Sequence, residues 1–353
     1  MNVLYIGHTD PNTTSRHRAD ALGRLGHSVI IEDPYAAMGG ELRGRIRGAV
    51  HYRSGYRLLQ PAGQRWVEGL LRKHAGWPDV VWIDQIELLG RTAAMALRKF
   101  ACPLILYAID DPTGGRDGRR FDSLRAALPA YDLCVVVREE NIAECTALGA
   151  RNVLRVWRSY DEVQHAPFEN VDNIPAEFRS DVAFVGTWMR GEGRDDFMLG
   201  LIERGIDVAI WGGSWHRSRH WSRLKDNWKG PFAYGRDYVA AIQGAKVALG
   251  LLSKSNRDLH TTRSAEIPYA GGLLCAQRTD EHLSMYRESE EAVFWSDVDE
   301  CAAICRELLA DTPRRERIRQ AGMARVRAAG YGNEAVCREI LDRLITAVPR
   351  KTM

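Results

Sequence analysis

The 353-residue chain has no long apolar run. Nothing in it approaches the ~20 consecutive apolar residues that a membrane-spanning helix needs. Its opening, Met1-Asn-Val-Leu-Tyr-Ile-Gly7, lacks the basic start and extended apolar stretch of a signal peptide and reads as a first β-strand. The expected location is therefore cytoplasmic, at most peripheral to the inner membrane face. No strand is followed by Gly-x-Gly-x-x-Gly: the first ends Gly7-His-Thr-Asp-Pro-Asn12, and Gly186-Thr-Trp-Met-Arg-Gly-Glu-Gly193 has the wrong spacing. A P-loop is missing too, which weighs against dehydrogenase and kinase chemistry. The seven cysteines make no Cys-x-x-Cys pair and several sit in apolar runs, as small buried residues in a reducing compartment do. Cys301 and Cys305 are one helical turn apart, but no histidine or further cysteine is spaced to complete a zinc site. With a net charge of only +3, the chain carries no strong nucleic-acid signature.

What is present fits a soluble α/β protein of two domains. The composition is 45% hydrophobic and 27% charged, as in ordinary globular chains. Short, continuous apolar runs at residues 3–7, 28–32, 80–84, 104–109, 133–137 and 153–156 alternate with helical stretches. Continuous rather than alternating apolar strands indicate parallel sheets covered on both faces. A polar stretch from 158 to 180, with Pro167 and Pro175, reads as a linker. The alternation then restarts, with strands at 182–185, 208–211, 247–251, 272–276 and 292–295. The expected division is 1–165, 166–333, and a final helix within 334–353 that returns to the first domain. Such tandem doubly wound domains bind ligands off the carboxyl ends of their strands.

One stretch is locally basic: Arg43, Arg45, Arg47, Arg53, Arg57, Arg65, Arg72 and Lys73, with Tyr52, Tyr56 and Trp66 between them. It reads either as a solvated helical face or as a contact with an anionic membrane or a phosphate-bearing acceptor.

The densest chemistry lies between Leu251 and Gly272. Lys254, Arg257 and Arg263 cluster around a helix start near Thr262, an arrangement suited to a diphosphate. Glu266, one turn into that helix, is placed to take both hydroxyls of a ribose, and Asp258 precedes it by eight positions. Phe184-Val-Gly-Thr-Trp188 is a strand entering a glycine turn before a helix; Gly186 and Thr187 allow close approach to a ligand, and Arg190 and Arg194 add charge. Trp211 and Gly212, in Ile210-Trp-Gly-Gly213, fit a loop that reads a base edge, or simply a tight turn. His8, Thr9 and Asp10 after the first strand, Asp84 and Gln85 after a later one, and Asp110 and Asp111 are the acceptor-side candidates. A general base that deprotonates an acceptor hydroxyl would come from Asp110 or Asp10, although each also suits a helix cap. Asp297-Val-Asp299 matches an Asp-x-Asp metal motif but sits at a helix start, where capping is expected. His216 and His220 lack a third metal ligand. The tryptophans around them read as a packed loop or a sugar-stacking surface.

These segments resemble the GT-B glycosyltransferases, in particular the group similar to the spore maturation protein CgeB. The resemblance rests on Asn256-Arg-Asp-Leu-His-Thr-Thr-Arg263 with Glu266-Ile-Pro268, on Asp181-Val-Ala-Phe-Val-Gly-Thr-Trp188, Tyr131-Asp-Leu133, Asp110-Asp-Pro112 and Glu290-Glu-Ala-Val-Phe-Trp295. It covers most of the chain and is closer in the second half. It implies two doubly wound, Rossmann-like parallel-sheet domains facing across a cleft, with the donor in the second domain and the acceptor in the first. It implies transfer of a sugar from a nucleotide-diphosphate sugar, a UDP-sugar being favoured, to a hydroxyl of a glycan, lipid-linked glycan, protein or small molecule. No essential metal or cofactor is implied. Glu266 maps onto the ribose-binding glutamate of the group-1 type. Asp258 stands where a second glutamate is usual. A non-catalytic nucleotide- or glycan-binding protein and a sugar-nucleotide epimerase remain as alternatives of the same fold.

Overall fold

The computed structural model describes residues 1–84, 86–231 and 233–347. Gln85 lies outside them. The chain divides into two compact units. One holds Met1–Trp157 together with the chain from Asn333 onward; the other is Arg158–Gly332. The division falls before residue 165 for a local reason. The Arg158 backbone N–H donates to His260 Nε2 at 3.1 Å, and its guanidinium pairs with Asp258 Oδ1 at 2.8 Å. Both contacts attach the start of the polar segment to the second unit.

The first unit contains a six-stranded parallel sheet of β1 (Asn2–Ile6), β2 (Ser28–Glu32), β3 (Val80–Asp84), β4 (Leu104–Ala108), β5 (Leu133–Val136) and β6 (Val153–Arg155), in the order β2-β1-β3-β4-β5-β6. β3 and β4 are buried along their whole length, as the continuous apolar runs require. The helix Asn333–Ala347 packs on the helix Thr14–Arg24, with Arg24 Nε 2.6 Å from Glu334 Oε1. It places Val336, Cys337, Ile340, Leu341 and Leu344 in a core with Val3, Tyr5, Trp82 and Tyr107. Burying each of its aliphatic side chains contributes on the order of 1.5–3 kcal/mol.

The second unit repeats the architecture with β7 (Ser180–Val185), β8 (Val208–Trp211), β9 (Trp228–Gly230), β10 (Ala245–Gly250), β11 (Leu274–Gln277) and β12 (Val293–Trp295), in the order β12-β11-β10-β7-β8-β9. All pairings are parallel. β9 has three residues and no apolar run, so its sequence carries no strand pattern. Chain order turns back between β7 and β10, which makes that junction the topological switch point of the sheet.

Cys275 on β11 comes together with Cys301 and Cys305 of the helix Val298–Ala310, their sulfurs all within 4.8 Å. Sequence spacing does not indicate Cys275, since this third sulfur arrives from a distant strand. All three are buried in the apolar core of the unit.

Candidate functional site

Two loops meet at the switch point of the second unit. One leaves β7 through Gly186–Gly193, and the other leaves β10 through Leu251–Thr261. Glu192 joins them. Its carboxylate accepts from Lys254 N (2.7 Å), from Ser253 Oγ (3.3 Å) and from Ser255 Oγ. Burial opposes its ionisation, yet the Ser255 and Lys254 hydrogen bonds hold its carboxyl below the usual value. Arg194 makes a second tie, donating to Thr187 O (2.7 Å) and Leu252 O (3.4 Å).

The glycines here are sterically required. A Cβ on Gly212, whose φ is +141°, would stand 2.1 Å from Gly186 O. A Cβ on Gly186 would stand 2.6 Å from the Phe184 ring. Strand ends and turn are thus packed backbone to backbone.

Off the carboxyl ends of β10, β11 and β12 lies a pocket of ≈410 Å³. Glu192, Arg194, Leu252, Lys254, Gln277 and Trp295 are among its lining residues. The helices Arg194–Glu203 and Val298–Ala310 begin at its wall, so their N-terminal partial positive charges add to Arg194 and Lys254. The pocket suits an anionic group with an apolar side.

The helix Thr262–Tyr269 starts beside these loops with a reciprocal cap. Ser264 N donates to the Thr261 side chain, and Thr261 N donates to Ser264 Oγ at 3.0 Å. Ser264 Oγ also meets His282 Nε2 at 2.7 Å, while His282 Nδ1 donates to Gln277 O at 2.6 Å. Nε2 is therefore the unprotonated nitrogen, accepting from the Ser264 hydroxyl.

The expected donor residues separate into groups. Lys254 lines the pocket. Gly186, Thr187 and Arg190 lie in the first loop, with Thr187 and Arg190 exposed. Arg257 stands in the second loop with φ +54°, and Thr262 opens the helix. The others have partners within the protein. Arg263 Nε donates to Val185 O at 3.1 Å, and its guanidinium lies over the Tyr238 ring. Glu266 is buried and accepts from Tyr238 OH, with His165 Nε2 3.8 Å away. Burial and then the Glu266 charge raise the Tyr238 phenol well above its ordinary value. Asp258, expected at the sugar end, is buried and pairs with Arg158 at 2.8 Å. Trp211 is a buried strand residue stacked on Phe178 at 4.9 Å, so its ring belongs to the core and not to a base-reading loop.

Sequence reading missed Glu192, Tyr238, His165, Arg158 and His282. A carboxylate between two positive-φ glycines, Gly191 and Gly193, is the one local signal that marks Glu192. Asp297 caps the helix that follows it, accepting from Glu300 N at 2.9 Å, while Asp299 pairs with Arg204. His220 pairs with Asp196, and Trp221 packs edge-on against Trp228 in a closed loop.

In the first unit, a hollow of ≈350 Å³ opens off β1, β3 and β4. His8, Arg18, Asp84, Glu87, Asp110 and Arg120 line it. Asp84 is not a free acceptor-side carboxylate. It takes Arg18 through two bonds of 2.6 and 2.8 Å, and Tyr5 OH at 2.6 Å. Asp110 sits 3.1 Å from Arg120, which also holds Glu87. His8 stacks on Tyr35 at 4.4 Å. Asp111 turns away from the hollow and is buried. Its Oδ1 accepts from Gly114 N and Asn141 Nδ2, bracing the turn. Asp10 organises an exposed turn through Asn12, and Thr9 is bonded to Asp33. Neither Asp10 nor Thr9 lines the hollow.

Comparison with known proteins bears on the fold. Residues 194–342 match a family model described as glycosyl transferase-like. No curated protein sequence matches the chain. Among solved structures, sucrose-phosphate synthase from Thermosynechococcus elongatus superposes with a TM-score of 0.68 at 15% identity, covering 98% of this chain and 99% of that one. HepE of Anabaena, solved with UDP-glucose, gives 0.66 at 11% identity over 98% and 100%. The α,α-trehalose 6-phosphate synthase of Burkholderia multivorans gives 0.62 at 13% over 98% and 96%. The fold is GT-B: two six-stranded parallel sheets of the doubly wound kind.

Proposed function

We propose that this protein is a glycosyltransferase that moves a sugar from a nucleotide-diphosphate sugar to a hydroxyl acceptor without an essential metal. The observation that carries the reading is the switch point of the second unit. There Glu192 and Arg194 bind two strand-end loops together beside a pocket flanked by helix N-termini. Such a site favours a diphosphate, because fixed cations and oriented N–H groups stabilise the charge that develops on the leaving group. UDP-sugars are the favoured donors, given that one similar structure holds UDP-glucose. Lys254 and Arg194 are the diphosphate ligands in this reading, and Glu266 is the ribose ligand once it exchanges Tyr238 OH for the sugar hydroxyls.

The acceptor binds in the hollow of the first unit, where Asp110 is better placed than Asp10 to take the hydroxyl proton. A glycan, lipid-linked glycan, protein or small molecule meets the requirement, and a lipid-linked one would require contact with a membrane. Among the described residues no helix is long and apolar enough to cross a membrane. We place the protein in the cytoplasm.

The engagement of Asp258 and Glu266 inside the protein favours one second reading, a GT-B protein that binds a nucleotide without transferring sugar. A thermal-shift panel of UDP-, GDP-, TDP- and ADP-sugars on wild type and Glu266→Ala tests the donor site. At least one donor raises the wild-type melting temperature, and the variant loses the response. Failure of every donor on the wild type, or an equal response of the variant, overturns the assignment. Release of free sugar from the bound donor separates transferase from binder.

A further inference from the structure

The segment from Leu42 to Val67 holds six arginines and no acidic residue. Its helix, Arg45–Arg53, buries none of its side chains. Nine residues are too few to form a stable helix in water on local propensity alone. The segment is nonetheless anchored at its far end. Tyr56 and Leu59 are buried, Gly55 O accepts from Ser123 Oγ at 2.5 Å, and Tyr52 OH donates to Asp117 Oδ1 at 3.0 Å. Arg57 pairs with Asp122 at 3.2 Å. The result is a helix mounted on a fixed base with its length in solvent.

Its exposed face is of two kinds. Ile46 is 82% exposed, Val50 48%, and Leu58, on the adjoining 3₁₀ turn, 63%. At 100° per residue Ile46 and Val50 share one side of the helix. Arg45 and Arg53 flank that side on one edge, and Arg47 flanks it on the other. Arg43 precedes the helix and is exposed.

We propose that this helix and the turn after it form a docking surface for an anionic lipid bilayer. Arginines flanking an aliphatic seam match a membrane interface, where guanidinium groups meet lipid phosphates while short apolar side chains enter the acyl boundary. A nucleic-acid backbone would satisfy the arginines but give Ile46, Val50 and Leu58 nothing to bury in. The proposal is independent of the transfer reading, because none of these residues lines either pocket.

The test is co-sedimentation of the full chain with vesicles at physiological salt. One set is pure phosphatidylcholine, and the other contains about one-third phosphatidylglycerol. The wild type sediments with the anionic vesicles and not with the neutral ones. Each arginine at such a surface is worth about a fivefold change in partition, so Arg43→Ala/Arg45→Ala/Arg47→Ala weakens binding on the order of a hundredfold. Ile46→Asn/Val50→Asn weakens it about tenfold or more by removing the inserted groups. Both variants keep the wild-type melting temperature, since the Arg45–Arg53 helix buries nothing and Arg43 is exposed. The proposal is overturned if the wild type ignores anionic vesicles or binds both sets equally. It is also overturned if the apolar variant sediments like wild type while a labelled RNA competes with the vesicles.

Discussion

Glu192 Oε2 accepts the backbone N–H of Lys254 at 2.7 Å, across the switch point of the second sheet. The bond sets the spacing of the two strand-end loops. Charge-assisted hydrogen bonds of this kind are worth about 1.5–3 kcal/mol. Glu192→Ala is therefore expected to weaken nucleotide-sugar binding ten- to a hundredfold. Titration calorimetry with the donor that emerges from the thermal panel checks this, and an unchanged dissociation constant would refute the bracing role.

Glu266 and Tyr238 give a second expectation. If the carboxylate trades Tyr238 OH for a ribose, wild type should prefer a ribonucleotide to its 2′-deoxy analogue. Glu266→Gln should erase that preference, whereas Tyr238→Phe should keep it, because only the competitor is removed. Competition binding with the paired nucleotides decides. A preference that survives in Glu266→Gln places the ribose elsewhere.

His282 predicts a pH dependence. Burial lowers its pKa below the ordinary 6.5. Its neutral ring accepts from Ser264, part of the reciprocal helix cap. In the unfolded chain it binds a proton near pH 6.5. Its stabilising effect is thus present above that pH and lost as pH falls through and below it. Melting temperature should drop between about pH 7 and 5 by a margin that His282→Asn reduces. Parallel curves for the two proteins would disprove the assignment.

Cys102 is the one cysteine that is not fully buried. Burial and then Asp79 push its thiol up to about 11. Its reaction with a disulfide reagent should be slow at neutral pH and rise about tenfold per pH unit below that pKa. The other six thiols should react only on unfolding. Fast labelling of more than one thiol in the native protein contradicts this.

The sequence made the sheets legible because their strands are continuous apolar runs, which few other structures produce. The basic segment from 43 to 73 reads as a solvated helical face without helix bounds, since a helix such as Arg45–Arg53 that buries nothing has no apolar stripe to read. In the candidate site, residue types were legible but partners were not. Asp258 reads as a sugar ligand, and its partner Arg158 lies a hundred residues upstream. Arg263 reads as a diphosphate ligand, and its bond to Val185 O comes only with the fold. Cys275 joins Cys301 and Cys305 only through the pairing of sheet and helix. Each of these is a long-range contact made by a residue whose local chemistry is plain in the sequence.

The return of the Asn333–Ala347 helix to the first unit has a consequence for biosynthesis. The ribosome makes the whole of Arg158–Gly332 before the chain that closes the first core. During that interval the second unit has every strand it needs and can mature cotranslationally. Val3, Tyr5 and Trp82 meanwhile wait without Val336, Ile340 and Leu344 against them. The core of the first unit is thus sealed only after the second unit has been made, and nascent-chain chaperones have an opportunity there.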